Sequence, residues 1–169
     1  MFMRVAPELF LKTCVVGGLN KVFEIGKNFR NEGVDLTHNP EFTSCELYWA
    51  YADYNDLMKL TEELLMKIVL EIKGSKSFEI VDKDGKKIQI DFTPPFKKIS
   101  VIEELEKILK VEFPKEFESD EAVKFLDDLC VKHEIHCGKP RTAARLIDKM
   151  ISELIEPYCQ NPTFLIEHP

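Results

Sequence analysis

No stretch of this sequence is both long and apolar enough to cross a membrane, because its apolar runs are short and broken by charges. The amino terminus lacks the charged-then-apolar pattern of a secretory leader. A basic excess is missing too. The formal net charge of −7 argues against a self-sufficient nucleic-acid binder, since holding phosphates takes a basic footprint. An RNA held by other parts of a longer protein stays open. Five cysteines, at 14, 45, 130, 137 and 159, are odd in number and scattered, so they do not form a disulfide framework. A reducing, cytoplasmic setting is expected. No internal repeat or low-complexity tract is visible.

What is present suits one domain of ordinary size. The 169 residues are 44% hydrophobic and 31% charged, enough for a core under a soluble surface. Lys21 to Glu32 alternates with a period of two, which predicts a strand. Phe23, Ile25 and Phe29 fall on one face; Glu24, Gly26, Asn28, Arg30 and Glu32 fall on the other. Gly33 to Thr37 is a polar loop. A second strand runs from about Phe42 to Ala50, with Phe42, Ser44, Glu46 and Tyr48 sharing a face. Two such strands with a short connection make an antiparallel hairpin.

Helix signals follow. Asp53 caps a helix to about Lys73, with Leu57, Leu60, Leu64, Ile68 and Ile72 on one stripe and Gly74 at its end. That stripe is expected to pack in a core. Asp84-Gly85 marks a tight turn between Phe78–Val81 and Ile88–Phe92, and Lys86-Lys87 beside it is a solvated run. Pro94-Pro95 breaks the chain. Ser100 and Glu103 suggest a capping box for a helix to about Lys110, and Ser119 a cap for another to about Lys132. Pro140 precedes a last helix, Thr142 to Glu156, with Leu146, Ile147, Met150, Ile151 and Leu154 inward. Thr163 to Ile166 is a final short strand. The pattern is α+β, an antiparallel sheet with helices. Cys130, His133, His136 and Cys137 lie close in sequence, but without a paired C-x-x-C a helix end with incidental His and Cys is favoured over zinc. Lys97-Lys98 is too small a basic group to assign to RNA.

The polar face of the first hairpin is the informative feature. Arg30 offers a planar fork suited to phosphate or carboxylate. Phe42 offers a ring on which a base could stack, a contact worth roughly 1–3 kcal/mol. His38 and Asn39 lie in or beside the connecting loop, within reach of a phosphate tail. Glu46 and Tyr48 suit an amine. Pattern alone leaves open a plain exposed sheet face with incidental cross-strand charge pairs.

The string FRNEG (Phe29 to Gly33) followed by HNPEFTSCELYWAYADY (His38 to Tyr54) resembles the second motif of class II aminoacyl-tRNA synthetases. RVAPELFLK (Arg4 to Lys12), VVGGLNKVFEIGKNFRNEG (Val15 to Gly33), YADYNDLM, DFTPPF and PTFLIEHP resemble the lysine-specific members, so the likeness runs along nearly the whole chain. The resemblance implies an incomplete class II catalytic domain: an antiparallel β-sheet with flanking helices and a helical insertion. Residues 1–95 would hold the motif hairpin, a helix and a second hairpin. Residues 96–160 would be mainly helical insertion, and 161–169 a strand returning to the core.

The resemblance also implies roles. Arg30 would hold the ATP α-phosphate and stabilise charge developing there while lysine attacks to give lysyl-adenylate. Asn31 and Glu32 would join it in binding ATP, Glu32 at the adenine edge. His38 and Asn39 would lie near the phosphates, and Phe42 would stack on adenine. Glu46 would bind the lysine α-amino group; Glu8 and Tyr48 would hold the ε-ammonium. Related aspartate and asparagine enzymes tend to carry Gln in place of Glu8, and a carboxylate suits an ammonium while repelling an aspartate. Taken alone, Glu8 is an ordinary charged residue at a helix start after Pro7.

Mg²⁺ is expected with ATP, on ligands outside this chain. The first and third class II motifs and an anticodon-binding barrel are expected beyond these residues, which would leave the 169 residues alone inactive or nearly so. The partners implied are L-lysine, ATP and tRNA(Lys), in a homodimeric full-length enzyme. Two rivals are a lysine-adding class II paralogue that modifies an elongation factor, and a non-catalytic binding module derived from a synthetase.

Overall fold

The computed structural model describes residues 2–82 and 85–169. It divides into two compact units, Met1–Leu57 and Met58–Pro169.

The first unit begins with helix α1 (Glu8–Val16), entered through Pro7 and closed by Gly17. Strand β1 (Lys21–Phe29) then pairs antiparallel with β2 (Glu41–Trp49). Their register sets Asn28 opposite Phe42, Gly26 opposite Ser44, Glu24 opposite Glu46 and Val22 opposite Tyr48. Regular pairing stops at Phe29, three residues short of the expected Glu32. Arg30 still donates its backbone N–H to Pro40 (2.9 Å), but the Glu32 N–H turns back to the Arg30 carbonyl (3.0 Å) and ends the ladder.

Alternation assigned the two faces of this hairpin correctly, yet their burial is the reverse of the usual arrangement. The polar face carries α1, which packs on both strands. The apolar face is open, with Phe23 70% and Ile25 65% exposed.

The second unit holds most of helix α2 (Tyr54–Lys73). The Asp53 carboxylate caps α2, accepting from the Asn55 and Asp56 N–H groups at 2.8 and 3.1 Å. Gly74 ends it with φ +70°, a left-handed value that favours glycine. The apolar stripe of α2 forms a helical face but is not the packed core expected of it: Leu57, Leu64 and Ile68 are 40%, 43% and 44% exposed, and only Met58 is buried. A 20-residue helix outruns the short elements around it.

Strands β3 (Ser77–Val81) and β4 (Lys87–Asp91) form the second antiparallel hairpin. Asp84 of the expected tight turn lies outside the described residues. Gly85 takes φ +80° and donates its N–H to the Asp82 carbonyl at 3.0 Å.

Strand β5 (Lys97–Ser100), which sequence reading left without structure, pairs with β6 (Thr163–Ile166). This pair is parallel, so the expectation of one antiparallel sheet is corrected: the described residues form three two-stranded sheets, two antiparallel and one parallel. The reason is connectivity: β5 and β6 enter and leave a helical block, and a crossover of that length returns the chain in the same direction. Ser100 caps α3 (Val101–Leu109) without a side-chain hydrogen bond, so the expected capping box does not form; Ser100 is instead the last paired residue of β5. Ser119 does cap α4 (Asp120–Lys132), accepting from the Ala122 N–H at 3.1 Å. Thr142 caps α5 (Ala143–Leu154) in the same way through Arg145. Val101, Leu105, Leu126, Leu146 and Met150 are fully buried where α3, α4 and α5 meet. A 3₁₀ turn, Glu156–Tyr158, leads to β6.

Candidate functional site

Every residue assigned a binding role from the sequence lies in the first unit. The register fixes how they meet. Phe42 and Glu46 are four residues apart on β2 and share the polar face, so they are separated by roughly 13 Å along the strand.

At one end of this face Arg30 lies just beyond β1. Its guanidinium sits 5.1 Å from the Phe42 ring centroid, a cation–π contact. Its Nε points to the Val5 carbonyl at 3.4 Å, a long bond that leaves the remaining donors of the fork available. Arg30, Asn31, Phe29, Met3, Pro40 and Glu41 line a shallow, open depression. A flat cation over a flat ring beside an open hollow suits a nucleotide: one surface for the base and one charge for a phosphate.

At the other end the Tyr48 hydroxyl donates to Glu46 Oε2 at 3.0 Å. Loss of surrounding water pushes the phenol pKa up to about 12, helped by the bond to Glu46 and by the charges of Glu46 and Glu8. Tyr48 therefore stays a neutral donor at physiological pH. Glu8 reaches this end from the first turn of α1 and bonds Lys12 Nζ at 2.5 Å. Lys12 Nζ in turn lies 5.7 Å from the Tyr48 ring centroid. The structure thus brings Glu8, Glu46 and Tyr48 to one place and Arg30 and Phe42 to another.

The loop residues are not drawn into either group. Asp35 organises the turn, its carboxylate accepting from the Thr37 and His38 N–H groups at 2.7 Å each. The Thr37 backbone bond, with the His38 and Thr37 side chains, holds the Asp35 carboxyl below its ordinary range. His38 Nδ1 lies 3.0 Å from the same carboxylate. Asn39 donates to the Glu41 carbonyl at 2.8 Å. Asn31, Glu32, His38 and Asn39 are all exposed.

Four supporting residues escaped sequence reasoning. Arg4 lies across the polar face of β1, pairing with Glu24 and donating from Nε to the Lys27 carbonyl at 2.9 Å. Gly26 makes room for it, because a Cβ there would overlap the guanidinium. The signal was a lone glycine inside a strand. Asn28 is fully buried; it donates to Ser44 Oγ at 2.6 Å and leaves its Oδ1 without a partner. Lys12 is the fourth.

The Cys/His group of the second unit separates. Cys130 and Cys137 are buried, burial pushing the Cys130 thiol up to about 11, whereas His133 and His136 are exposed. Among the described residues no group of three or more His, Cys, Asp or Glu side chains could hold a metal ion. No helix among them is long and apolar enough to cross a membrane.

Comparison with known proteins places the whole chain in one family. The family model for tRNA synthetases class II (D, K and N) matches residues 1–169. A probable cytoplasmic lysine–tRNA ligase of Enterocytozoon bieneusi is 51% identical over 177 residues, covering 100% of this chain and 34% of the relative. The lysine–tRNA ligase of Thermotoga maritima is 45% identical, covering 100% of this chain and 31% of its own length. That of Saccharolobus solfataricus is 44% identical, with 99% and 32% covered. The chain therefore spans 31–34% of the length of these curated relatives.

Proposed function

This chain belongs to the class II tRNA synthetases of the D, K and N group, and from that premise we propose that it forms part of the catalytic site of a lysine–tRNA ligase. The full enzyme would activate L-lysine with ATP and pass it to tRNA(Lys). The observation that carries the reading is the arrangement along one hairpin face: a cation stacked on a ring at one end, and a tyrosine with two carboxylates at the other. The two groups lie roughly 13 Å apart along β2.

In this reading Phe42 stacks on adenine and Glu32 meets its edge, with Asn31 beside them. Arg30 holds the α-phosphate. The lysine carboxylate attacks the α-phosphorus, the bond to the bridging oxygen breaks, and pyrophosphate leaves as lysyl-adenylate forms. Charge grows on the α-phosphate oxygens as this happens, and a guanidinium already in place stabilises it without reorganising. His38 and Asn39 lie toward the departing phosphates. Glu46 takes the α-amino group, and Glu8 with Tyr48 takes the ε-ammonium. An ammonium stripped of water needs its carboxylate, so these contacts also set the choice of amino acid. Mg²⁺ normally accompanies ATP in this chemistry. The described residues offer no donor set that fits it.

The names of the relatives support a cytoplasmic setting. A homodimeric full-length enzyme belongs to the same proposal. So does low activity of these 169 residues by themselves, because groups that act as a unit lose most of their effect when separated.

Lysine-dependent ATP–pyrophosphate exchange tests the reading. In the full chain its gene encodes, Arg30→Ala should lower exchange by roughly 100- to 1,000-fold. Exchange driven by another amino acid in preference to lysine, or indifferent to Arg30, would sink it. Charging of tRNA(Lys) rather than a protein acceptor separates the ligase from its lysine-adding paralogue.

A further inference from the structure

We propose that Lys12 is the resident occupant of the ammonium subsite, and that substrate lysine enters by exchanging with it. The proposal rests on the lysine reading above.

Lys12 stands one helical turn after Glu8 on α1, and α1 packs on the polar face of the β1–β2 hairpin. Its Nζ bonds Glu8 Oε1 at 2.5 Å. The same Nζ lies 5.7 Å from the Tyr48 ring centroid, while the Tyr48 hydroxyl is engaged with Glu46. Glu8 and Tyr48, the two residues assigned to the substrate's ε-ammonium, thus already face an ammonium that belongs to the chain.

Electrostatics explains why. Glu8 and Glu46 both place negative charge beside Tyr48. Lys12 supplies one opposing charge at Glu8. Two ammonium groups cannot share one carboxylate at hydrogen-bond range without repelling, so arrival of a substrate ammonium displaces the resident one.

The displacement is easy. Lys12 and Glu8 side chains are 54% and 49% exposed, and an exposed pair one turn apart on a helix changes an equilibrium constant by about twofold. A long flexible stem lets the displaced group swing into water without moving α1. Lys12 is therefore a weak internal competitor of the substrate.

Two measurements on the full encoded chain test this. The first is pulse acetylation of lysines read by mass spectrometry. Saturating L-lysine should raise the labelling rate of Lys12 about twofold. Norleucine, which has a similar stem and no ammonium, should leave it unchanged. A Lys12 rate that stays constant or falls with lysine overturns the proposal. The second is calorimetry on Lys12→Met, where lysine should bind about twofold tighter with ATP affinity unchanged. Equal or weaker lysine binding overturns the competitor role. The acetylation result comes from the unaltered protein and holds even if the variant misfolds. Absence of any lysine binding by the parent protein is a different failure: it overturns the lysine reading, and this proposal with it.

Discussion

The two units of this chain divide the labour of folding and of binding. In the second, Val101, Leu105, Leu126, Leu146 and Met150 are wholly buried among three helices. In the first, Pro7, Leu11 and Asn28 are the only described residues that are buried. The unit that holds every candidate site residue is fastened by ion pairs and hydrogen bonds across a hairpin and one short helix. A two-stranded ribbon is marginal by itself, so its order depends on such ties. Its polar face carries α1 and its apolar face is open, so neither face encloses a core like that of the second unit. Changes in the second unit should therefore act on stability, and changes in the first on binding.

The largest expected effect tests the cored unit. Leu126→Ala should cost about 2–5 kcal/mol of unfolding free energy in urea titrations followed by circular dichroism, through lost burial and the cavity left behind. Arg30→Ala, which so reduces exchange, should leave the same unfolding curve within about 0.5 kcal/mol, as exposed substitutions do. Matching losses in both would dissolve the comparison.

A smaller effect tests the binding unit. Tyr48 should ionise near pH 12 in an ultraviolet tyrosinate titration, and Tyr48→Phe should remove that step. The sign follows from the raised pKa. The stabilisation of the neutral phenol is complete below about pH 10, its ordinary value. It is lost as the pH climbs through about 12. A Tyr48 that ionises near the ordinary phenol value of about 10 would mean that it is neither shielded from water nor bonded to Glu46.

The smallest effect concerns the open apolar face. Phe23→Thr should change unfolding free energy by no more than about 0.5 kcal/mol, because the ring is 70% exposed and threonine suits a strand. A cost of several kcal/mol would show that this face is covered in solution.

Much of the fold was legible where the signal was local. Asp53, Gly74 and Ser119 marked helix ends that the structure keeps. The period of 3.6 in α5 put Leu146, Ile147, Met150 and Ile151 inward, where they are buried. Alternation placed Phe42, Ser44, Glu46 and Tyr48 on one face, and the strand register agrees. What was not legible depended on distant partners. Nothing in Lys97–Ser100 announces a strand whose mate is Thr163–Ile166. Alternation separates two faces but cannot say which one a helix will cover, so the burial of the polar face was unexpected. Arg4 and Lys12 matter through what they touch, and neither contact follows from sequence spacing alone. The α2 stripe shows the converse: a clear helical period that the described residues leave half exposed.

The parallel pairing of β5 with β6 has a consequence in time. A ribosome finishes β5 well before it makes β6, since residues 101–162 come between them. At the usual pace of synthesis, roughly 5–20 residues per second, that interval lasts about 3–12 s. The helices α3, α4 and α5 emerge within it and can assemble their shared interior by contacts between neighbours in the chain. Strand β5 meanwhile waits with an unpaired edge, and the arrival of β6 latches a block that is already built.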